Sequence, residues 1–164
     1  MQINHKNKKR EKQGNKSGFT LIEILVVIGI IAVLASVVLV AVNPSRQFKL
    51  ARDSQRVANV NAILNAVGQN ISEHKGSFVC PTGVTTIPSS PTLIESNSGG
   101  IDVASCVVPA YISSLPFDPS PSTGAKYTSI GDYDTGYLVS QDATNGQISV
   151  SAVGEITNPI TVSR

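Results

Sequence analysis

One carboxylate lies in a stretch of the sequence that is otherwise almost entirely apolar. Glu23 ends the hexapeptide GFTLIE, residues 18–23, and Ser36 is the one clearly polar residue among residues 24–42. An ionised carboxylate in hydrocarbon costs about 2.5 to 3.5 kcal/mol on membrane-insertion scales. Glu23 is therefore expected either to meet a positively charged partner or to reach a polar surface.

Few other residues could carry chemistry. The sequence has no Cys-x-x-Cys pair, no histidine cluster, no Gly-x-Ser-x-Gly motif and no phosphate-binding loop. Few aromatic residues, and many Ser, Thr, Gly and Pro residues in the second half, are typical of a turn-rich β region rather than of a deep apolar pocket. We therefore predict no catalytic residue, no cofactor and no enzymatic activity.

The elements around Glu23 predict a membrane span. Residues 1–18 contain six basic residues and one acidic residue, and residues 19–42 form the apolar run. A helix of that length covers roughly 36 Å, which is enough to cross a bilayer. Positive charge before the span predicts a cytoplasmic N-terminus with the rest of the chain outside. An ordinary secretory signal has a shorter apolar segment, although weak cleavage sites at 33–35 and 39–41 leave removal of the run as an alternative.

The part of the chain after residue 18 is mildly acidic and holds both cysteines. Its seven basic and ten acidic side chains give a net charge of −3, so nucleic-acid contact is not predicted. Cys80 and Cys106 both follow the span, where a disulfide is the economical interpretation and two unpaired thiols are the alternative. Closing a loop of about 27 residues would stabilise the fold by roughly 3 to 4 kcal/mol.

Residues 43–75 predict an amphipathic helical segment. Pro44 interrupts the apolar run and either kinks a continuing helix or opens a new one. Lys75 followed by Gly76 predicts the end of the helix. Apolar residues at spacings of three and four predict one buried stripe, formed by Val57, Val60, Leu64, Val67 and Ile71. The polar residues assigned to the other faces are Arg52, Arg56, Asn59, Asn61 and Gln69.

Residues 76–164 predict a loop-dominated segment followed by a small antiparallel sheet. A short helix is expected at 108–114, and turns are expected at 131–136 and 144–146. The predicted strands are 126–130, 137–140, 147–153 and, as an optional fourth, 160–163. Packing of this sheet on the helical stripe predicts an α+β fold with a long N-terminal helix.

The N-terminal residues together resemble a known processing signal. The basic leader, Gly18 before Phe19, Glu23 at a fixed distance and the uninterrupted apolar helix closely resemble the class III signal of type IV prepilins and type II secretion pseudopilins. In that family a membrane peptidase cuts after the glycine and methylates the new amino terminus. The resemblance implies cleavage between Gly18 and Phe19 and N-methylation of Phe19.

The same resemblance implies a role for Glu23 and a set of partners. Glu23 becomes the fifth residue of the mature chain, and its carboxylate is expected to pair with the new N-terminal amine, either of its own chain or of a neighbouring subunit in the filament. The implied partners are the prepilin peptidase and methyltransferase, other copies of the chain and related pilins, an inner-membrane assembly platform and membrane lipid. The subunit is expected in the cytoplasmic membrane before assembly and in a cell-surface or periplasmic filament afterwards.

A shorter similarity lies further along the chain. KGSF at 75–78 and YISSLPFDP at 111–119 are similar to segments of the major pseudopilin of type II secretion systems. Such pseudopilins carry an acidic calcium loop, for which Asp132, Asp134 and Asp142 are candidates by composition only. The dense acidic run of that loop is missing, so no metal site is predicted.

Four basic residues just beyond the span have three interpretations. They could contact anionic headgroups, contact the acidic C-terminal region of a neighbouring subunit, or be solvated. These residues are Arg46, Lys49, Arg52 and Arg56.

Two functional hypotheses remain open. The leading one is a structural subunit of a type IV pilus-like or pseudopilus filament, with surface pilus and secretion pseudopilus undecided. The alternative is a single-span, membrane-anchored extracytoplasmic binding module that does not polymerise.

Overall fold

The computed structural model describes residues 18–97 and 99–164, and the chain divides into two compact units after Asn43. The predicted leader lies outside the described residues except for Gly18. The first unit contributes one described helix, and the second unit contains all the other described elements. This layout confirms the predicted α+β class.

The helix of the first unit, α1, covers Leu21–Val42. Thr20 is its N-cap, so the helix begins two residues later than the predicted span at residue 19. Asn43 follows its last turn with φ 45° and ψ 77°, a left-handed conformation that asparagine tolerates better than most residues. No residue of α1 is buried, and its apolar side chains are therefore exposed on every side.

The second unit begins with helix α2, Pro44–Glu73. Pro44 fits the first helical position because the first N–H groups of a helix have no intrahelical acceptor. The helix ends at the predicted stop, where Lys75 has φ 57° and Gly76 has φ 93°. The N–H of Gly76 donates to the carbonyl of Ile71 at 2.9 Å, which closes the last turn as a Schellman motif does.

The buried face of α2 differs in part from the predicted stripe. Val60, Leu64 and Val67 are buried as predicted, but Val57 is 44% exposed and Ile71 is only partly buried. Ile63 and Ala66 complete the set of buried apolar residues. Residues three, four and seven apart share one side of a helix, so the buried face is rotated about the helix axis, away from Val57 and Ile71 and towards Ile63 and Ala66. The assignment of Arg56 and Asn59 to solvent-facing positions is wrong, since both are buried.

A five-stranded antiparallel sheet packs on α2. Its strands are β3 Thr92–Glu95, β4 Lys126–Ser129, β5 Asp132–Gln141, β6 Ile148–Ala152 and β7 Ile160–Ser163. The hydrogen-bonded strand order is β3–β5–β6–β7, β4 also pairs with β5, and the contacts with α2 are made through β6 and β7. Strand β5 alternates strictly and buries the side chains of Tyr133, Thr135, Tyr137 and Val139.

The segment between α2 and β4 contains more structure than the sequence predicted. Strands β1, Val79–Cys80, and β2, Gly83–Val84, form a short hairpin. The short helix α3 covers Ala104–Val107, so its prediction at 108–114 is wrong. Val108 is extended because it precedes a proline, whose ring disfavours the helical conformation of the residue before it.

The turn predicted at 131–136 is confirmed only at Gly131. Residues 132–136 form the first half of β5, and Tyr133 and Thr135 are buried there. Glycine at 136 and two aspartates suggested a turn, but the burial of Tyr133 and Thr135 keeps the segment in the sheet. The strands predicted at 126–130, 147–153 and 160–163 are confirmed within one residue at either end.

Candidate processing and assembly site

The residues of the candidate signal lie where the chain enters α1. Thr20 is extended, with φ −80° and ψ 150°, and the helix proper starts at Leu21. Phe19 is 80% exposed, and an added Cβ at Gly18 would meet no atom within 4 Å. The peptide bond between Gly18 and Phe19 therefore precedes the helix, in an open part of the chain.

Glu23 occupies the third position of α1 and forms a reciprocal capping box with Thr20. The N–H of Glu23 donates to Thr20 Oγ1 at 3.2 Å, and the N–H of Thr20 donates to Glu23 Oε2 at 3.5 Å. These bonds occupy two N–H groups that have no acceptor inside the helix. The carboxylate therefore lies at the start of the helix, beside the N–H of Thr20, which is the residue that follows Phe19.

The polar groups of α1 are few. Glu23 is its one ionisable residue. The hydroxyl of Ser36 donates back to the carbonyls of Ala32 and Val33 at 2.9 and 2.8 Å, so that polar group is satisfied within the helix. Among the residues that the structure describes, α1 is the one helix long and apolar enough to cross a bilayer.

The two cysteines lie in the second unit and form a disulfide. The Sγ atoms of Cys80 and Cys106 are 2.01 Å apart, and the bond joins strand β1 to helix α3. The buried amide of Asn70 connects both sides of this bond to α2. It donates to the carbonyls of Val79 and Cys106 at 2.8 and 3.0 Å, and its Oδ1 accepts the N–H of Val79 at 2.9 Å.

Two of the four basic residues beyond the span, Arg52 and Arg56, form ion pairs within the second unit. Arg56 is buried, with a side chain only 2% exposed, and forms two hydrogen bonds to Asp118 at 2.7 and 2.9 Å. Arg56 also bonds Asp53 at 2.8 Å, and Arg52 bonds Glu155 at 2.5 and 2.6 Å. A solvated or intersubunit role is therefore wrong for Arg56, and Arg52 has a carboxylate partner within its own chain.

Hydrogen bonds to Asp53 hold the loop between β6 and β7 against α2. Its carboxylate accepts the N–H groups of Glu155, Ile156 and Thr157 at 2.8, 2.8 and 3.1 Å. Burial opposes ionisation of Asp53, but these three bonds and the one from Arg56 outweigh it and lower its pKa to about 2.

Glu155 completes this charge network. The hydrogen bond from Arg52 lowers the pKa of Glu155 to about 2, and Arg56 acts in the same direction against the opposing effect of burial. In turn, the bonds to Asp118, Asp53 and Glu155 raise the pKa of Arg56 despite its burial. The sequence offered no local signal for the Arg56–Asp118 contact, because the two residues are 62 positions apart.

The three turn aspartates considered as calcium ligands do not converge. Asp132 forms an ion pair with Lys126 at 2.7 Å, which lowers the pKa of Asp132. Asp134 accepts the N–H of Gly136, and Asp142 accepts two backbone N–H groups of its own turn. Within residues 18–97 and 99–164, no group of three or more His, Cys, Asp or Glu side chains could hold a metal ion.

Comparison with known proteins identifies the N-terminal segment. Residues 13–39 match the family model described as the prokaryotic N-terminal methylation motif. The match confirms the predicted prepilin-type signal of type IV pilins and pseudopilins. No curated protein and no solved structure matches the chain. The motif extends from the end of the leader to residue 39, three residues before the end of α1, so the positions of Gly18, Phe19 and Glu23 fall inside it.

Proposed function

We propose that the chain is a prepilin that is cleaved between Gly18 and Phe19, methylated at Phe19 and polymerised through α1 into a type IV pilus-like or pseudopilus filament. The observation that carries this proposal is an entirely exposed apolar helix that directly follows the open Gly18–Phe19 bond and contains one carboxylate. The methylation motif at 13–39 supports the processing step.

Exposed apolar surface requires an apolar environment. The side chains of Leu21, Val40 and Ile22 are 83%, 84% and 64% exposed, and similar exposure continues along α1. Such a surface is stable in lipid, and it is equally stable against α1 helices of other copies. A subunit stored in the bilayer can therefore leave it only if other apolar helices replace the lipid.

Glu23 links the cleavage to the assembly. Cutting after Gly18 converts the nitrogen of Phe19 into an amine, which is positively charged at neutral pH before and after a single methylation. The carboxylate of Glu23 can then pair with this amine, either at the start of its own helix or on a neighbouring subunit. In a low-dielectric environment this attraction is strong, so it favours one stagger between adjacent helices.

In the same proposal, the second unit lies outside the cytoplasmic membrane. Six basic residues precede α1, and this excess of positive charge favours a cytoplasmic N-terminus. The disulfide between Cys80 and Cys106 agrees with an oxidising compartment for the second unit.

Intact-mass and N-terminal analysis of the protein from its native membrane tests the processing step. We expect a mature chain that begins with N-methylated Phe19, and replacing Gly18 with leucine should leave the full precursor in the membrane. A mature protein that still begins at Met1, or that begins near Asn43, would contradict the proposal. A chain cut after Gly18 that never enters filaments would instead support the single-span binding module.

A further inference from the structure

The start of α1 determines how the Gly18–Phe19 bond is presented. The carbonyl of Thr20 accepts the N–H groups of Glu23 and Ile24 at 3.1 and 3.2 Å, and these are the first helical hydrogen bonds of the described chain. The carbonyl of Gly18 therefore precedes the hydrogen-bonded part of the helix. A peptidase that cuts after Gly18 must reach the carbon atom of this carbonyl.

We propose that Thr20 is a positioning residue for cleavage, because its side chain stops α1 from extending back over the Gly18–Phe19 bond. This inference rests on the proposed function, since it concerns how the same bond reaches the prepilin peptidase. Thr20 Oγ1 accepts the N–H of Glu23, and this bond is available only when Thr20 is extended at the helix start.

An earlier helix start would hide the bond. In an α-helix each carbonyl accepts the N–H of the fourth residue ahead, so the carbonyl of Gly18 would be bonded to Ile22. In a helix that starts three residues earlier, the N–H of Thr20 would be at the third helical position, would donate to the side chain of the new cap at residue 17 and could not remain bonded to Glu23. The capping box and an extended helix are therefore mutually exclusive, and the box favours the open bond.

The sequence contains a competing cap three residues upstream. Ser17 belongs to the residue types that favour the N-cap position. A helix capped there would place Gly18 and Phe19 in its first turn and enclose the bond. Thr20 therefore competes with Ser17 for the start of the helix, and loss of the Thr20 side chain shifts the balance towards Ser17.

The test compares cleavage rates of full-length precursors by a purified prepilin peptidase in detergent. The variants are Thr20→Val, Thr20→Ala, Thr20→Ser and Thr20→Asn. Valine keeps the branched shape but cannot accept the N–H of Glu23, whereas serine and asparagine are at least as good N-caps as threonine. We expect Thr20→Val and Thr20→Ala to be cut about five-fold more slowly, and Thr20→Ser and Thr20→Asn to stay within about two-fold of the wild type.

A spectroscopic measurement follows the helix start directly. The ¹³Cα chemical shift of Phe19 in detergent micelles should move towards helical values in Thr20→Val and stay near the wild-type value in Thr20→Asn. Slow cleavage of Thr20→Val without this change would contradict the inference.

Two other results would overturn it. Equal rates for all five proteins would show that the cap does not limit cleavage. Slow cleavage of all four variants would show that the peptidase recognises the threonine side chain itself, because the serine and asparagine caps would then fail as well. If the wild-type precursor is not cut between Gly18 and Phe19, the proposed function fails too, whereas every other outcome concerns Thr20 alone.

Discussion

The two units of this chain differ in the burial and pairing of their charged and apolar side chains. In the second unit, Arg56 is almost fully buried and is surrounded by the carboxylates of Asp53, Asp118 and Glu155. In α1, by contrast, every apolar side chain is exposed, and the carboxylate of Glu23 accepts a backbone N–H at the long distance of 3.5 Å. One unit satisfies its charges by internal contacts, and the other leaves its main apolar surface unpacked.

The difference indicates what each unit needs in order to be stable. The second unit has a buried core that includes Val60, Ile63, Tyr137 and Val150, and among the described residues no buried side-chain nitrogen or oxygen lacks a hydrogen-bond partner. The second unit can therefore be stable without contacts to lipid or to other chains. The apolar surface of α1 requires lipid or other helices, and Glu23 gains a cation only after cleavage under the proposed function.

The largest effect is expected from removing the charge of α1. Glu23→Val should still be cut after Gly18, because the backbone N–H at position 23 can still donate to Thr20 Oγ1, but it should fail to form ordered filaments, because the proposed partner of the new amine is lost. Glu23→Gln is the matched variant, since glutamine can keep the capping box while removing the charge. Electron microscopy of sheared filaments, together with mass spectrometry of the membrane-bound chain, measures both steps.

The two Glu23 variants test different parts of the proposed pairing between Glu23 and the amine. Normal filaments from Glu23→Val would remove the pairing argument altogether. Normal filaments from Glu23→Gln alone would show that a hydrogen bond to the amine is sufficient and that the charge is not required.

The next largest effect is expected in the buried charge network of the second unit. Arg56→Met leaves Asp118 and Asp53 buried without their cation, which should lower the free energy of unfolding by about 3 to 5 kcal/mol. Lys126→Met is the control, because it breaks the ion pair with Asp132, whose two side chains are 55% and 53% exposed. The control should change the unfolding free energy by less than about 1 kcal/mol.

Urea unfolding of the full chain in detergent, followed by near-ultraviolet circular dichroism of the tyrosines, compares these two variants. Tyr133 and Tyr137 are buried in the second unit and report on its packing. Similar losses for both variants would contradict the distinction between buried and exposed ion pairs.

A somewhat smaller effect is expected from the disulfide. Replacing Cys80 and Cys106 together by serine should lower the free energy of unfolding by about 3 kcal/mol, because the unfolded chain gains the entropy of an open loop. Reduction of the wild-type protein in urea should give the same shift. A change below about 0.5 kcal/mol would show that Asn70 and the local packing hold β1 and α3 on α2 without the covalent bond.

The smallest effect is expected from lowering the pH, because the contribution of Asp53 and Glu155 to stability is unchanged near neutral pH and is lost only in acid. The pKa values of Asp53 and Glu155 are both lowered to about 2, so the unfolded chain takes up these protons at higher pH than the folded chain does. Their stabilising contribution is complete above about pH 5 and is lost as the pH falls from about 4.5 towards 2. The melting temperature should be constant between pH 7 and 5 and should decrease below that range.

Asp53→Asn provides the control for the acid profile. This variant should be less stable at neutral pH, and its melting temperature should decrease less steeply between pH 4 and 2. An identical slope in the variant and the wild type would show that other carboxylates dominate acid unfolding.

Local patterns predicted a large part of this molecule. The span, the stop at Lys75 and Gly76, and three of the sheet strands depend on residues that are neighbours along the chain, so they could be read from composition and spacing. The Thr20–Glu23 capping box was equally readable, because a threonine followed three residues later by a glutamate is a known helix-start pattern. The charge of Glu23 was recognised from the sequence, but the place of its side chain in the cap was not predicted.

Contacts between distant residues were not predictable in this way. Arg56 had the charge of a solvent-facing residue, and only the approach of Asp118 and Glu155 made its burial stable. Strand β3 and the first half of β5 lie in segments with many turn-forming residues, and pairing between them overrides that local preference.

The sequence by itself therefore determined the apolar helix, the processing motif at 13–39 and the position of a lone carboxylate within it, since these depend on residue type and spacing along one continuous segment. Only the tertiary structure decided which polar residues of α2 are buried, how the Asp53 and Arg56 network holds the loop at Glu155, and which face of α2 the sheet covers. Those features depend on groups far apart in the chain, and their stability arises only when folding brings the groups together and removes water from between them.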